Sequence, residues 1–282
     1  MLTQEELLKI EQLSACYPDV DKIIKRLNEE NKFMLSKISH EIRNPLTLIS
    51  STLQLMESKN PELTSIKYWS QIRRDVNDVV LLLNELSTFN NCEKLTLSPV
   101  NLSTLIHDIA DSFESSSNEL DHNISVSIPE SALNYMRSYP CDKLKIKQVF
   151  LNIMRNAFEA MNAGDSLSVN VALSDSTIDS TPELSIASLE NSQSELDDFD
   201  ESELVDEGDD SSLIITISNN GEPIPPEHLD TLFDAFVTHK SSGTGLGLAI
   251  SDKIIKAHGG TISVESNEDH TDFTIKLPIH IK

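Results

Sequence analysis

Along the first third of the chain, apolar residues recur at steps of three and four. Ile23, Ile24, Leu27, Met34, Ile38, Ile42, Leu46, Ile49, Leu53 and Met56 form one stripe between Val20 and Met56, the period of a helix that buries a single face. Lys59-Asn60-Pro61 ends that pattern. A second stripe, Ile66, Trp69, Ile72, Val76, Val79, Val80, Leu83, Leu86 and Phe89, predicts an antiparallel partner helix. Two helices cannot bury both stripes by themselves, so the pattern predicts a homodimer in which two hairpins make a four-helix bundle. Ahead of the hairpin, Leu7, Leu8, Ile10 and Leu13 predict a short helix over Glu5 to Leu13, ending near Pro18.

After a linker around Asn90 to Lys94 the texture changes. Leu95–Val100, Ile124–Ile128, Leu167–Leu173, Leu213–Ile217, Thr261–Glu265 and Thr271–Leu277 read as strands, several with alternation or β-branched residues. Helical patterns at Leu102–Phe113, Leu144–Met161 and Leu246–His258 lie between them. This mixed order predicts an α/β sandwich with helices on one face of a sheet. The expected organisation is therefore multidomain: a helical extension over 1–19, an all-α hairpin over 20–92, and an α/β domain over 95–282.

Charge changes the picture in one place. The chain of 282 residues has a formal net charge of -24, and Ser174 to Ser212 holds fourteen acidic side chains, ten serines and no Lys or Arg. Its single scattered apolar residues cannot offset the entropy of ordering it, so 174–212 is expected to be a disordered insertion. The remainder carries 32 acids against 22 bases, which argues against a nucleic-acid-binding surface. Three cysteines without a CxxC pair suggest neither a disulfide framework nor a cysteine zinc site, and a reducing cytoplasm is expected. No apolar run reaches the roughly 18 to 20 residues that span a bilayer.

Four segments carry candidate chemistry. Ser39-His40-Glu41-Ile42-Arg43-Asn44-Pro45-Leu46 puts a nucleophile, a carboxylate and a helix-disrupting proline together, which makes His40 the first candidate for the working residue. Asn152 and Asn156, one helical turn apart, can project neutral oxygens from the same face, a donor type that suits a magnesium ion carrying phosphates and waters. The same spacing also suits polar surface or caps. Asn219-Asn220-Gly221-Glu222-Pro223-Ile224-Pro225 follows an apolar strand. Finally, Gly243-Thr244-Gly245-Leu246-Gly247-Leu248 opens a helix, where glycines let backbone N–H groups approach a phosphate closely.

Together with Phe233-Asp234-Ala235-Phe236, the order of these segments resembles the bacterial sensor histidine kinases, and is most similar to their nitrogen-regulation and sporulation groups. The resemblance covers about Lys32 to Leu277 outside the acidic insertion. His40 falls in the H box, Asn152 to Asn156 in the N box, Asn219 to Ile224 in the first glycine box, Phe233 to Phe236 in the F box, and Gly243 to Gly247 in the second glycine box. It implies a catalytic domain of the GHKL, or Bergerat, type that binds ATP with Mg2+. It further implies that His40 takes the γ-phosphoryl group and passes it to an aspartate on the receiver domain of a response regulator.

In these terms Glu41 is the expected general base, and Asn156 matches the magnesium ligand. Asn152 matches the preceding N-box position, and Arg155 or Lys240 is placed to contact phosphate. Asn44 matches a position linked to dephosphorylation of the regulator. Related gyrase, Hsp90 and MutL ATPases carry a water-activating glutamate where Asn152 stands, which disfavours hydrolysis as the main reaction. Asn219 stands where the family usually has an aspartate accepting from the adenine amino group, and Pro223 replaces the usual second glycine of that box. The amide oxygen of Asn219 can still accept, without the charge that strengthens such bonds. The alternatives are a nucleotide-binding scaffold and an enzyme working chiefly as a response-regulator phosphatase. With no sensing domain recognisable ahead of His40, input through a separate partner protein, or a signal acting on the N-terminal helices, is expected.

Overall fold

The computed structural model describes residues 17–117, 122–174, 211–238 and 243–279. The expected helix over Glu5 to Leu13, nearly all of the acidic insertion, and Lys240 lie outside them. The chain divides into two compact units, residues 1–94 with 231–253, and residues 95–230 with 254–282. Among the described residues, no helix is long and apolar enough to cross a membrane.

The first unit is built on a helical hairpin. Helix α1 (Pro18–Lys59) starts with a proline in its first turn, where the missing N–H costs nothing, and ends at Asn60, whose N–H donates to the Met56 carbonyl. A single 3-10 turn, Pro61–Ser65, leads into helix α2 (Trp69–Asn91). The hairpin end is tied by Glu57, which accepts from Trp69 Nε1 at 2.7 Å and pairs with Arg73 at 2.9 Å. Further along, Arg43 Nη2 donates to the Leu83 carbonyl at 3.4 Å. Much of the expected stripe stays uncovered within one chain: Ile23, Leu27, Met34, Ile38, Ile42, Ile49, Met56, Ile72 and Val79 are all exposed.

The second unit is an α/β layer structure. In chain order it holds β1 (Ser98–Val100), α3 (Leu102–Ser117), β2 (Asn123–Ser127), α4 (Glu130–Met136), β3 (Tyr139–Cys141), α5 (Lys143–Ala160), β4 (Ser166–Ser174), β5 (Ser212–Asn219) and α6 (Pro226–Leu229). Helix α7 (Gly247–Ala257) runs from the first unit into this one, followed by β6 (Thr261–Ser266) and β7 (Thr271–Pro278). The main sheet has the order β2-β4-β5-β7-β6, with β2 and β4 parallel and every other pair antiparallel. β1 and β3 pair separately.

One face of the sheet is the core. Leu167, Val169 and Val171 on β4, Leu213, Ile215 and Ile217 on β5, and Phe273, Ile275 and Leu277 on β7 are buried in strict alternation. The helices answer with their own period: Leu102, Leu105, Ile106 and Ile109 on α3, and Ile146, Val149, Phe150, Ile153, Met154 and Ala157 on α5, are buried too. Most alternate positions on the sheet, such as Ser168, Asn170, Thr216 and Thr274, are polar, so the opposite face suits solvent.

The start of α5 is held by a small polar belt. Asp142 caps the helix by accepting from the Lys145 N–H at 3.2 Å, and its other oxygen accepts from the Thr96 N–H at 3.0 Å. Burial alone would raise the Asp142 carboxyl, but those N–H groups and the Lys145 charge outweigh it and hold the group below its ordinary value. The Asp142 N–H donates to His258 Nε2 at 3.1 Å, and His258 Nδ1 lies 2.7 Å from the Ile254 carbonyl. His258 is therefore the Nδ1–H tautomer, and its pKa is lowered, chiefly by burial.

Candidate functional site

His40 sits past the middle of α1 with its side chain exposed, beside the exposed Glu41. Its other neighbour, Ser39, is buried and turned back on its own helix, donating to the Leu35 carbonyl at 2.7 Å. Glu41 has only a loose ion pair with Lys37, 4.0 Å away with both side chains largely in water, so little holds the carboxylate in one rotamer. Asn44 is exposed one turn beyond His40, on the same side of the helix. Pro45 lies inside the helix, where it has no N–H to give the Glu41 carbonyl, so the backbone is loosened one residue from His40.

In the second unit, the inward face of α5 is apolar, which leaves Asn152 and Asn156 half-buried beside it and Arg155 exposed. The C-terminal end of this helix meets the turn after β5. The Glu222 N–H donates to the Ala160 carbonyl at 2.8 Å, and a Cβ on Gly221 would stand 2.4 Å from that same oxygen. Only glycine allows this approach. Asn220 fixes the other side of the turn, its Oδ1 accepting from the Ser166 N–H at 2.7 Å, and the Ile224 N–H donates to Ser266 Oγ at 2.9 Å. Asn219 continues the inward row of β5 at its end, 3 % exposed, with its Nδ2 unpaired. The structure thus joins two of the segments singled out in the sequence, the paired asparagines and the Asn-Asn-Gly turn, through Ala160.

The remaining segments belong to the first unit. Gly245 has a φ of +69°, and a Cβ there would meet the Val237 carbonyl oxygen at 2.6 Å. The Phe236 N–H donates to the Gly245 carbonyl at 3.0 Å, and Phe236 itself adopts a φ of 67°, rare for a residue with a large side chain. Thr244 Oγ1 donates to Glu85 of α2 and accepts from the Leu246 N–H at 3.3 Å, shaping the turn that Gly247 ends as α7 begins. The Phe236 ring lies 6.5 Å from that of Phe89, while Lys253 covers Phe89 at 4.3 Å and pairs with Glu93 at 2.9 Å. Lys32 pairs with Glu93 as well, and together these lysines overcome burial to lower the Glu93 carboxyl. Glu85 and Glu93 carry no signal in sequence and Phe89 only that of an apolar stripe, because a polar or aromatic residue near a helix end has no chemistry until its partner arrives.

Among the described residues no group of three or more His, Cys, Asp or Glu side chains is placed to hold a metal. A divalent cation here would need most of its ligands from phosphate and water. The half-buried amides of Asn152 and Asn156 suit that demand, since neutral oxygens complete a hard-cation shell without repelling a bound triphosphate.

Two family profiles match the chain. Residues 30–93 match the His Kinase A (phospho-acceptor) domain, and residues 141–281 match the histidine kinase-, DNA gyrase B-, and HSP90-like ATPase family. The chain is 31% identical to sporulation kinase D of Bacillus subtilis over 264 residues, covering 89% of this chain and 44% of that one. It is 28% identical to the sensory histidine kinase/phosphatase NtrB of Azospirillum brasilense, covering 87% of this chain and 55% of that one. It therefore spans about half the length of these relatives. The crystal structure of full-length ShkA in complex with AMPPNP shares the fold, with a TM-score of 0.61 and 19% identity over 87% of this chain and 45% of that one. With a phosphoacceptor hairpin and an ATPase-type sheet domain in one chain, the protein belongs to the two-component sensor histidine kinases.

Proposed function

We propose that the chain transfers the γ-phosphoryl group of ATP to His40 and from there to an aspartate on a response-regulator receiver domain. The observation that carries this reading is the exposure of His40 next to a carboxylate that little restrains, on the helix that matches the phosphoacceptor domain. One imidazole nitrogen attacks the γ-phosphorus, the bond to the β,γ-bridging oxygen breaks, and ADP departs. The proton lost from the ring passes to Glu41. Catalysis of such a transfer is mainly positioning and charge stabilisation. Asn219 and Gly221 would border the base, Asn152, Arg155 and Asn156 the phosphates, and the turn from Gly243 through Thr244, Gly245 and Leu246 to Gly247 would supply backbone N–H groups. Magnesium, held on the protein side by Asn156, would neutralise phosphate charge.

The exposed stripe on α1 and α2 supports a homodimer as the working form, with a four-helix bundle at its centre. A second reading rests on Asn44, exposed one turn beyond His40, where an amide would orient a water against a phosphorylated aspartate. One experiment addresses both. Protein labelled from γ-labelled ATP is mixed with a receiver domain of the same organism, and label should move to the receiver and then appear as free phosphate. Asn44→Ala should keep the first transfer and slow the release about tenfold or more. A protein that binds ATP yet takes no label would act as a nucleotide-dependent scaffold instead.

A further inference from the structure

Asn219 is the one polar side chain in the inward row of β5, where Leu213, Ile215 and Ile217 fill the other places. It is 3 % exposed and its Nδ2 has no acceptor. A buried, unpaired amide donor is costly and calls for a partner that the fold itself does not supply. The strand end that presents it is fixed: Ser166 holds Asn220, and the Gly221 turn is seated on Ala160 at the end of the helix that carries Asn152 and Asn156. The amide therefore stands in a defined place with its donor unused.

Resting on the nucleotide-binding reading above, we propose that Asn219 widens the base selectivity of this site from adenine to 6-oxopurine nucleotides. An amide presents an acceptor and a donor side by side. Adenine offers the complement in its amino group and N1. A 6-oxopurine offers the same pair reversed, a carbonyl O6 and an N1–H, and half a turn about the last side-chain torsion lets the amide match it. A carboxylate at this position has only acceptors, so it would face O6 with repulsion and reject such a base.

The test is a titration of the full chain with Mg–ADP and Mg–IDP, the latter chosen because hypoxanthine has no 2-amino group to clash. Wild type should bind the two within about tenfold of one another. Asn219→Asp should weaken IDP by about tenfold or more relative to ADP. The wild-type comparison stands even if that variant folds poorly. Rejection of IDP by wild type by more than about a hundredfold, or an equal loss of both ligands in a folded Asn219→Asp protein, would overturn the proposal while leaving ATP binding intact. Failure of wild type to bind either nucleotide would overturn both the proposal and the reading beneath it.

Discussion

Single atoms set the limits of the candidate site. At Gly221 the added Cβ of an alanine would stand 2.4 Å from a backbone oxygen, which cannot swing aside as a side chain would. Gly221→Ala should therefore cost roughly 1 to 3 kcal/mol and displace the turn that carries Asn219, weakening ADP binding by about tenfold or more. Gly164→Ala is the matching control. Its φ of +92° makes alanine strained, but nothing lies within 4 Å, so it should lose stability and keep ADP affinity. Equal affinities in the two variants would show that the Gly221 contact does not position the site. The sequence marks Gly221 as a turn residue; the reason for it, the Ala160 carbonyl, becomes visible only when helix and strand end are brought together.

At the scale of elements, period and structure agree where segments are long. The helices α1, α2, α3 and α5 and the strands β4, β5 and β7 all reappear with their ends moved by a few residues, and on α3, α5 and those strands the apolar period is also the buried one. The short elements escape this reading. β3 has three residues with Pro140 at its centre, and α4 makes barely two turns with Ala132 and Met136 as its buried residues, so neither offers enough repeats to define a period. β1 begins at Ser98 rather than Leu95 because the Thr96 N–H is given to the Asp142 carboxylate instead of a strand.

The same belt predicts a pH response. His258 is held below the ordinary imidazole value of 6.5, so in the window beneath it the unfolded chain binds more protons than the folded one. The stabilisation is complete above 6.5 and is lost as pH falls toward the folded-state value, where protonation would turn the Nε2 acceptor of the Asp142 N–H into a donor. The thermal midpoint of wild type should fall between about pH 7 and pH 5. His258→Gln keeps an acceptor and a donor without titrating, and its curve should be flatter across that window. Parallel curves would remove His258 as the cause.

For the whole molecule, the uncovered stripe on the hairpin is the main unmet demand of the fold. Ile23, Leu27, Ile38, Ile42, Ile49, Ile72 and Val79 stand exposed at helical spacing, an apolar surface that a second copy would bury. Light scattering at micromolar concentration should give twice the mass of one chain, and charge placed in the stripe by Ile49→Glu should shift it toward one; a monomeric wild type would reject the bundle. The hairpin was legible in the sequence because its amphipathic period is long, whereas the contacts of Glu85 with Thr244, Phe89 with Phe236 and Glu93 with Lys253 join residues far apart in the chain and leave no local pattern.

The function proposed for this chain turns on whether His40 accepts a phosphoryl group from ATP. Purified protein incubated with magnesium and γ-labelled ATP should take up label that acid removes and base does not, as a phosphorus–nitrogen bond requires, and His40→Gln should take up none. Label that persists in His40→Gln, or label stable to acid, would contradict the account.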